Sequence, residues 1–149
     1  MTDRYFEDYV PGVTYDCGSI EVTEAEILEF ARRFDPQTFH VDPVAAVDGP
    51  YGGLIASGWH TASLMMRLYA DNYLSPLSSL GSPGVDELRW PRPVRPGAVL
   101  SLRATVLEAR LSRSKPDRGL VRTRAEFVDA EDEVVFSASL LNFFLVRPE

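Results

Sequence analysis

One helical segment constrains the fold of this chain more than any other part of its sequence. Between Gly58 and Tyr73, apolar residues recur around most of the predicted helix, and charge appears mainly at Arg67 and Asp71. A helix with so little polar surface is normally buried. Other elements of the chain, or a second copy of it, must therefore cover this helix.

Strand patterns fill most of the chain after this helix, and one more precedes it. Apolar residues alternate with polar ones, or form short runs, in segments that we predict to be strands: 13–22, 85–90, 100–106, 121–127 and 134–146. The simplest packing is an α+β fold in a single domain of residues 1–149, with an antiparallel β-sheet wrapped around the long central α-helix. Because one sheet covers only one side of a helix, we expect a homodimer or an assembly of dimers.

The composition argues against several functional classes. A net charge of −7 argues against nucleic-acid binding, which requires a basic surface. The longest apolar runs fall far short of the ~20 residues of a spanning helix, so we expect no membrane insertion. The acidic N-terminal residues lack the apolar core of a signal peptide, and we expect a cytoplasmic protein. The single cysteine, Cys17, and the two histidines offer no metal-binding spacing, so we predict no metal site.

A short polar turn follows the first predicted helix, which starts after its N-cap Thr23 and has an apolar face that ends at Phe34. Pro36 disfavours helix at Asp35, which therefore lies at or just past the helix end. Asp42 and Pro43 start a second short helix, as its N-cap and first residue. We therefore expect His40 to lie in a brief linker held between two helices.

Asp35 and His40 are the first candidates for catalysis. A carboxylate and an imidazole, whose unperturbed pKa lies near ~6.5, can together hold a water and move its protons. Each also has a simpler interpretation, since Asp35 could be an ordinary helix-end carboxylate and His40 a core or capping histidine. The density of polar groups beside Phe34 and Phe39 is more typical of a pocket than of a core. Gln37, in the same turn, could orient a ligand or face solvent.

A glycine-rich segment, 52–58, leads into the long helix and offers a second candidate. The Gly58 N–H at the positive end of the helix could bind a developing negative charge, typically worth ~3–4 kcal/mol in a transition state. Alternatively, Gly58 is glycine only because helix and sheet approach closely there. We expect Ser57 to cap the helix, Trp59 to line a pocket or the core, and His60 to be structural.

Positive charge is concentrated in one short segment that contains Arg110, Arg113, Lys115 and Arg118. Such a segment is typical of a solvated hairpin loop, because exposed loops are usually polar. It could instead contact the phosphates of an anionic ligand. The segment alone leaves both interpretations open.

Three segments of the chain form a specific combination, although each alone would be a weak signal. They are Asp35-x-Gln37-x-x-His40-x-Asp42-Pro43, Leu54-Ile55-Ala56-Ser57-Gly58 and Trp90-Pro91-Arg92-Pro93-Val94-Arg95-Pro96-Gly97-Ala98. Together they resemble the MaoC-like hydratase family, hotdog-fold proteins related to (R)-specific enoyl-CoA hydratases. That family more often has Asn-Pro at the positions of Gln37 and Thr38, and often has histidine at the position of Ser57.

The resemblance implies a hotdog fold and a hydro-lyase reaction. Asp35 and His40 would be the catalytic pair, and Gly58 would supply the oxyanion N–H. The reaction implied is the reversible hydration of a trans-2-enoyl thioester to an (R)-3-hydroxyacyl thioester. The substrate would be an acyl-CoA, so that coenzyme A is part of the substrate and no separate cofactor is expected.

Further residues are predicted to bind the substrate. They lie in the polar turn, at the start of the long helix and in the basic segment: Gln37, Ser57, Trp59, Arg113, Lys115 and Arg118. Two alternatives to the hydratase stay open. One is a hotdog acyl-CoA thioesterase, and the other is a non-catalytic subunit that binds an acyl thioester.

Overall fold

The computed structural model describes residues 2–149. A short 3-10 helix, Phe6–Asp8, precedes the regular elements. The α-helices are α1 (Glu24–Phe34), α2 (Thr38–Val41), α3 (Pro43–Ala46) and α4 (Gly58–Asn72). The strands are β1 (Thr14–Glu21), β2 (Gly84–Arg89), β3 (Val99–Leu111), β4 (Arg118–Val128) and β5 (Val134–Leu145). No helix among residues 2–149 has both the length and the apolar character needed to cross a bilayer.

The five strands form one antiparallel sheet in the order β1-β3-β4-β5-β2. This arrangement confirms the predicted α+β fold. Strands β3 and β4 run further than the predicted segments 100–106 and 121–127. The ladder between them continues past a register shift between Val106 and Glu108 and ends where Leu111 pairs with Gly119.

Helix α4 packs on the inner face of the sheet. Met65, Tyr69 and Tyr73 are buried in one apolar core with sheet residues such as Leu100 and Phe127. Burying a large apolar side chain stabilises a fold by roughly 1.5–3 kcal/mol. Packing against the sheet therefore accounts for the long apolar face of α4.

The opposite side of α4 is open in the single chain. Trp59 and Met66 are 58% and 43% exposed. This exposure agrees with the expectation that one sheet covers only one side of the helix, and the second copy expected on this side stays a prediction.

The polar turn after α1 is more helical than predicted. Helix α1 ends at Phe34, and its C-cap Asp35 donates from its N–H to Ala31 O. His40 lies in the short helix α2, where its N–H donates to Gln37 O at 2.9 Å, and not in a linker. Asp42 caps α3 as predicted, because its side chain accepts from the N–H groups of the next turn.

Candidate active site

The end of α1, the helix α2 and the start of α4 meet at one cavity. Asp35, His40 and Gly58, the three residues predicted to be catalytic, all line it, and its volume is about 500 Å³. Much of its wall is apolar or aromatic: Phe39, Tyr51, Ile55, Trp59, Trp90 and Val94. An apolar cavity with a few convergent polar groups is typical of a small-molecule site.

His40 is held in one orientation by the backbone. The side chain is buried, and its Nδ1 lies 2.7 Å from Ile55 O. Because a carbonyl oxygen only accepts, this contact assigns a proton to Nδ1. In the neutral imidazole, Nε2 then carries the lone pair, and it lies 3.4 Å from Asp35 Oδ2. The Asp–His pair therefore presents a basic nitrogen beside a carboxylate oxygen.

Asp35 is held as an anion by its neighbours. Its Oδ1 accepts from Gln37 Nε2 and its Oδ2 accepts from Ser57 Oγ, each at 2.7 Å. Burial raises the pKa of Asp35, but these hydrogen bonds and the nearby His40 lower it by more, so the net pKa lies below the ordinary aspartate value. At neutral pH the carboxylate is ionised and can accept a hydrogen bond from a water or a substrate.

Gly58 is the first residue of α4 and follows the cap, Ser57, whose Oγ accepts from Trp59 N–H at 3.3 Å. Within residues 2–149, no group accepts a hydrogen bond from the Gly58 N–H. That N–H lies at the positive end of a fifteen-residue helix and at the cavity wall. It is therefore free to bind a developing oxyanion.

Comparison with known proteins places this arrangement in a family. Residues 9–127 match the family model described as the MaoC like domain. The chain belongs to the MaoC-like dehydratase family. The predicted resemblance and the hotdog fold are thereby confirmed.

Solved structures and curated relatives agree with this assignment. A MaoC-like dehydratase from Rhodospirillum rubrum superposes with a TM-score of 0.91 at 39% identity, over 99% of this chain and 100% of that one. The R-hydratase PhaJ1 from Pseudomonas aeruginosa, at 20% identity, shares the fold with a TM-score of 0.75, over 96% of this chain and 86% of that one. The 3-hydroxyacyl-thioester dehydratase Z of Mycobacterium tuberculosis is 36% identical over 81 residues, which are 53% of this chain and 54% of that protein.

Glycine is required at position 58 of this MaoC-like chain because an aromatic ring covers it. A Cβ atom there would lie only 2.5 Å from Trp90 Cε2. Trp90 also donates from Nε1 to Gly58 O at 2.8 Å. The predicted close approach exists, and the partner is the side chain that follows β2. The glycine thus accommodates Trp90 while its N–H stays free.

The other residues predicted around the helix start occupy different positions. Ser57 is fully buried behind Asp35 and is not part of the cavity lining, so in this chain it contacts Asp35 and the helix backbone. Trp59 and Gln37 line the cavity. His60 points away from it and stacks on Phe30 with ring centroids 5.0 Å apart.

The basic segment lies in the hairpin between β3 and β4. Arg118 is paired there with Asp117 at 2.9 Å, and neither Arg113 nor Lys115 lines the cavity of the same chain. The arginine that does line the cavity is Arg92, which we did not predict to bind substrate and whose guanidinium group lies 3.5 Å from Glu133 Oε2. Its position within the Trp90–Ala98 segment was the available signal.

Proposed function

We propose that this protein catalyses the reversible hydration of a trans-2-enoyl thioester, as an enoyl-CoA, to a 3-hydroxyacyl thioester. One observation carries the proposal: Asp35 Oδ2 and His40 Nε2 lie 3.4 Å apart at the wall of the cavity that also contains the free Gly58 N–H. Two proton acceptors beside one oxyanion donor match the needs of adding water to a polarised alkene. Membership of the MaoC-like dehydratase family supports the same class of reaction.

The water is held by the Asp–His pair. With His40 neutral and Asp35 ionised, both facing atoms are acceptors, so a water can donate one hydrogen bond to each. The water oxygen then attacks C3 of the enoyl group. We assign proton transfer to His40 Nε2, because the hydrogen bonds to Asp35 make that carboxylate a weaker base. Asp35 stabilises the imidazolium that forms.

The thioester carbonyl receives the charge that develops during attack. Its oxygen accepts from the Gly58 N–H, and a donor of this kind is typically worth ~3–4 kcal/mol in the transition state. The proton held on His40 is delivered to C2 on the face from which the hydroxyl was added. The oxygen has then bonded to C3 and the hydrogen to C2, so one water is consumed. The resemblance implies the (R) product.

Kinetics with trans-2-enoyl-CoA substrates of several chain lengths test the proposal. Enoyl absorbance is expected to fall without release of free thiol. His40→Ala and Asp35→Asn are each expected to lower turnover by ~100-fold or more, the usual scale of general acid–base catalysis. Asp42→Asn is the matched control, because Asp42 caps α3 outside the cavity lining and asparagine caps equally well.

Two outcomes of this assay would refute the hydratase, and a third would refute the assignment of its catalytic pair. Thiol release would indicate a thioesterase instead. Binding of acyl-CoA without any reaction would indicate a non-catalytic subunit. A turnover unchanged in the Asp35→Asn, His40→Ala double variant would refute the assignment of the pair.

We also propose that the protein is a homodimer. Tyr51, Trp59 and Trp90 surround the cavity with partly exposed aromatic surface, and Met66 extends the exposed side of α4. A second copy packed on this side would bury that surface. Light scattering during size-exclusion chromatography is expected to give twice the chain mass. A monomer at micromolar concentration would contradict the proposal.

A further inference from the structure

The peptide group that carries the Gly58 N–H is strongly polarised. Its carbonyl, Ser57 O, accepts from His60 N–H at 3.0 Å and from Thr61 N–H at 3.1 Å. The hydroxyl of Thr61, which also lines the cavity, lies 3.5 Å from the same oxygen. Hydrogen bonds to a peptide carbonyl strengthen the N–H donor of that peptide. These hydrogen bonds thus make the Gly58 N–H a stronger donor. To bind a substrate oxygen, the N–H must also be held in a fixed direction.

Trp90 supplies a second constraint on the same glycine. Its indole lies against the Gly58 Cα, so close that a methyl group there would overlap three ring atoms. Its Nε1–H donates to Gly58 O at 2.8 Å. One side chain therefore contacts both the α-carbon and the carbonyl of Gly58, which lines the cavity and whose N–H has no acceptor within residues 2–149. The edge-to-face contact with Trp59, at 5.2 Å between ring centroids, holds the indole in place.

The location of Trp90 indicates more than core packing. The residue is 38% exposed and lines the cavity, whereas the core aromatic residues of this chain are fully buried. Its Nε1–H donates to Gly58, the first residue of α4, and the backbone N–H of the same residue is the candidate oxyanion donor. We propose that Trp90 is a positioning residue, which holds the Gly58 N–H toward the thioester carbonyl oxygen of the substrate. This inference rests on the proposed function of Gly58.

Kinetics should separate this role from simple packing. Trp90→Phe keeps an aromatic ring over Gly58 but removes the N–H donor, and Trp90→Leu removes both. We expect kcat for enoyl-CoA hydration to fall about tenfold in the first variant and about 100-fold in the second. KM should change by less than about threefold, because an oxyanion contact strengthens in the transition state. A rise in KM with kcat unchanged would overturn the inference.

A bound chromophore tests the geometry without any turnover. The probe is 4-dimethylaminocinnamoyl-CoA, whose absorption moves to longer wavelength when its thioester carbonyl is polarised. We expect a red shift on binding to the wild type, a smaller one with Trp90→Phe and the smallest with Trp90→Leu. Asp35→Asn should lose turnover and keep the full red shift, since Asp35 does not contact the carbonyl oxygen.

The two measurements distinguish the possible failures. If no enoyl-CoA is hydrated but the red shift still depends on Trp90, the proposed reaction fails and the positioning role stands. If hydration occurs and both Trp90 variants bind the probe with the full red shift, the positioning role is refuted. Thermal unfolding of each variant verifies that it is folded at the assay temperature.

Discussion

Replacing Gly58 by alanine is expected to push the Trp90 indole out of its position. The new methyl carbon would lie 2.5 Å from Cε2 and 2.8 Å from Cδ2, whereas ordinary contacts begin at 3.4 Å, so the ring must move by about 0.9 Å. Such a shift removes the hydrogen bond to Gly58 O, worth about 1 kcal/mol, and adds an overpacking cost of roughly 1–3 kcal/mol. The better helix propensity of alanine returns less than about 1 kcal/mol.

The net loss is about 2 kcal/mol in the free energy of unfolding, which corresponds to a fall in Tm of about 4–8 °C for a chain of this size. Calorimetry or thermal circular dichroism measures it. Gly84→Ala is the matched control, because an added methyl at Gly84 would meet nothing within 4 Å. That control should change the free energy of unfolding by less than about 0.5 kcal/mol.

A double-mutant cycle identifies the indole as the cause. In a Trp90→Ala background the methyl group at position 58 has space, so most of the cost of Gly58→Ala should disappear. The coupling free energy should be about 1.5 kcal/mol, which lies within the range of roughly 0.5–3 kcal/mol found for residues in direct contact. If Gly58→Ala costs the same free energy in both backgrounds, the contact with Trp90 is not what requires glycine there.

Three further predictions concern residues around the site. Ser57→Ala removes the donor to Asp35 Oδ2, so the pKa of Asp35 should rise and the acidic limb of the pH profile of kcat/KM should move to higher pH. Ser63→Ala is the control. Identical pH profiles for the wild type and Ser57→Ala would contradict the role of Ser57 as a donor to Asp35. Burial lowers the pKa of His60, so below pH ~6.5 the unfolded state binds a proton that the folded state does not. The Tm of the wild type should therefore fall relative to that of His60→Phe as the pH drops from 7 to 5. Parallel curves of Tm against pH for the two proteins would refute this prediction. Removing the charges of Arg113, Lys115 and Arg118 together should raise KM for enoyl-CoA, because the sequence predicts that these residues contact the phosphates of coenzyme A; an unchanged KM would contradict that prediction.

Local patterns were enough to predict most of the fold. The alternation of strands β3 to β5 and the apolar face of α4 depend on neighbours a few residues away, which a sequence shows directly. The predicted end of β3 at Val106 was too early, because a register shift follows it and leaves Leu107 40% exposed. A bulge of this kind breaks the period of two, although the ladder itself continues.

The part of the candidate site that is local in sequence could also be predicted. Asp35 and His40 are five residues apart, so their approach follows from the local turn. The contact between Trp90 and Gly58 joins residues 32 positions apart. It depends on where β2 lies in the sheet and how the chain returns over the start of α4. Composition and spacing carry no direct signal of such a contact.

Ser57 links the two halves of the site. Ser57 Oγ donates to Asp35 Oδ2, and Ser57 Oγ also accepts from Trp59 N–H in the first turn of α4. The carboxylate and the first turn of α4, which begins with Gly58, are therefore both bonded to one buried side chain. The hydroxyl of Ser57 gives Asp35 one of its two hydrogen-bond donors, the other being Gln37 Nε2. At 2.7 Å this bond helps to keep the pKa of Asp35 below the ordinary aspartate value, so serine at this position supports an ionised carboxylate.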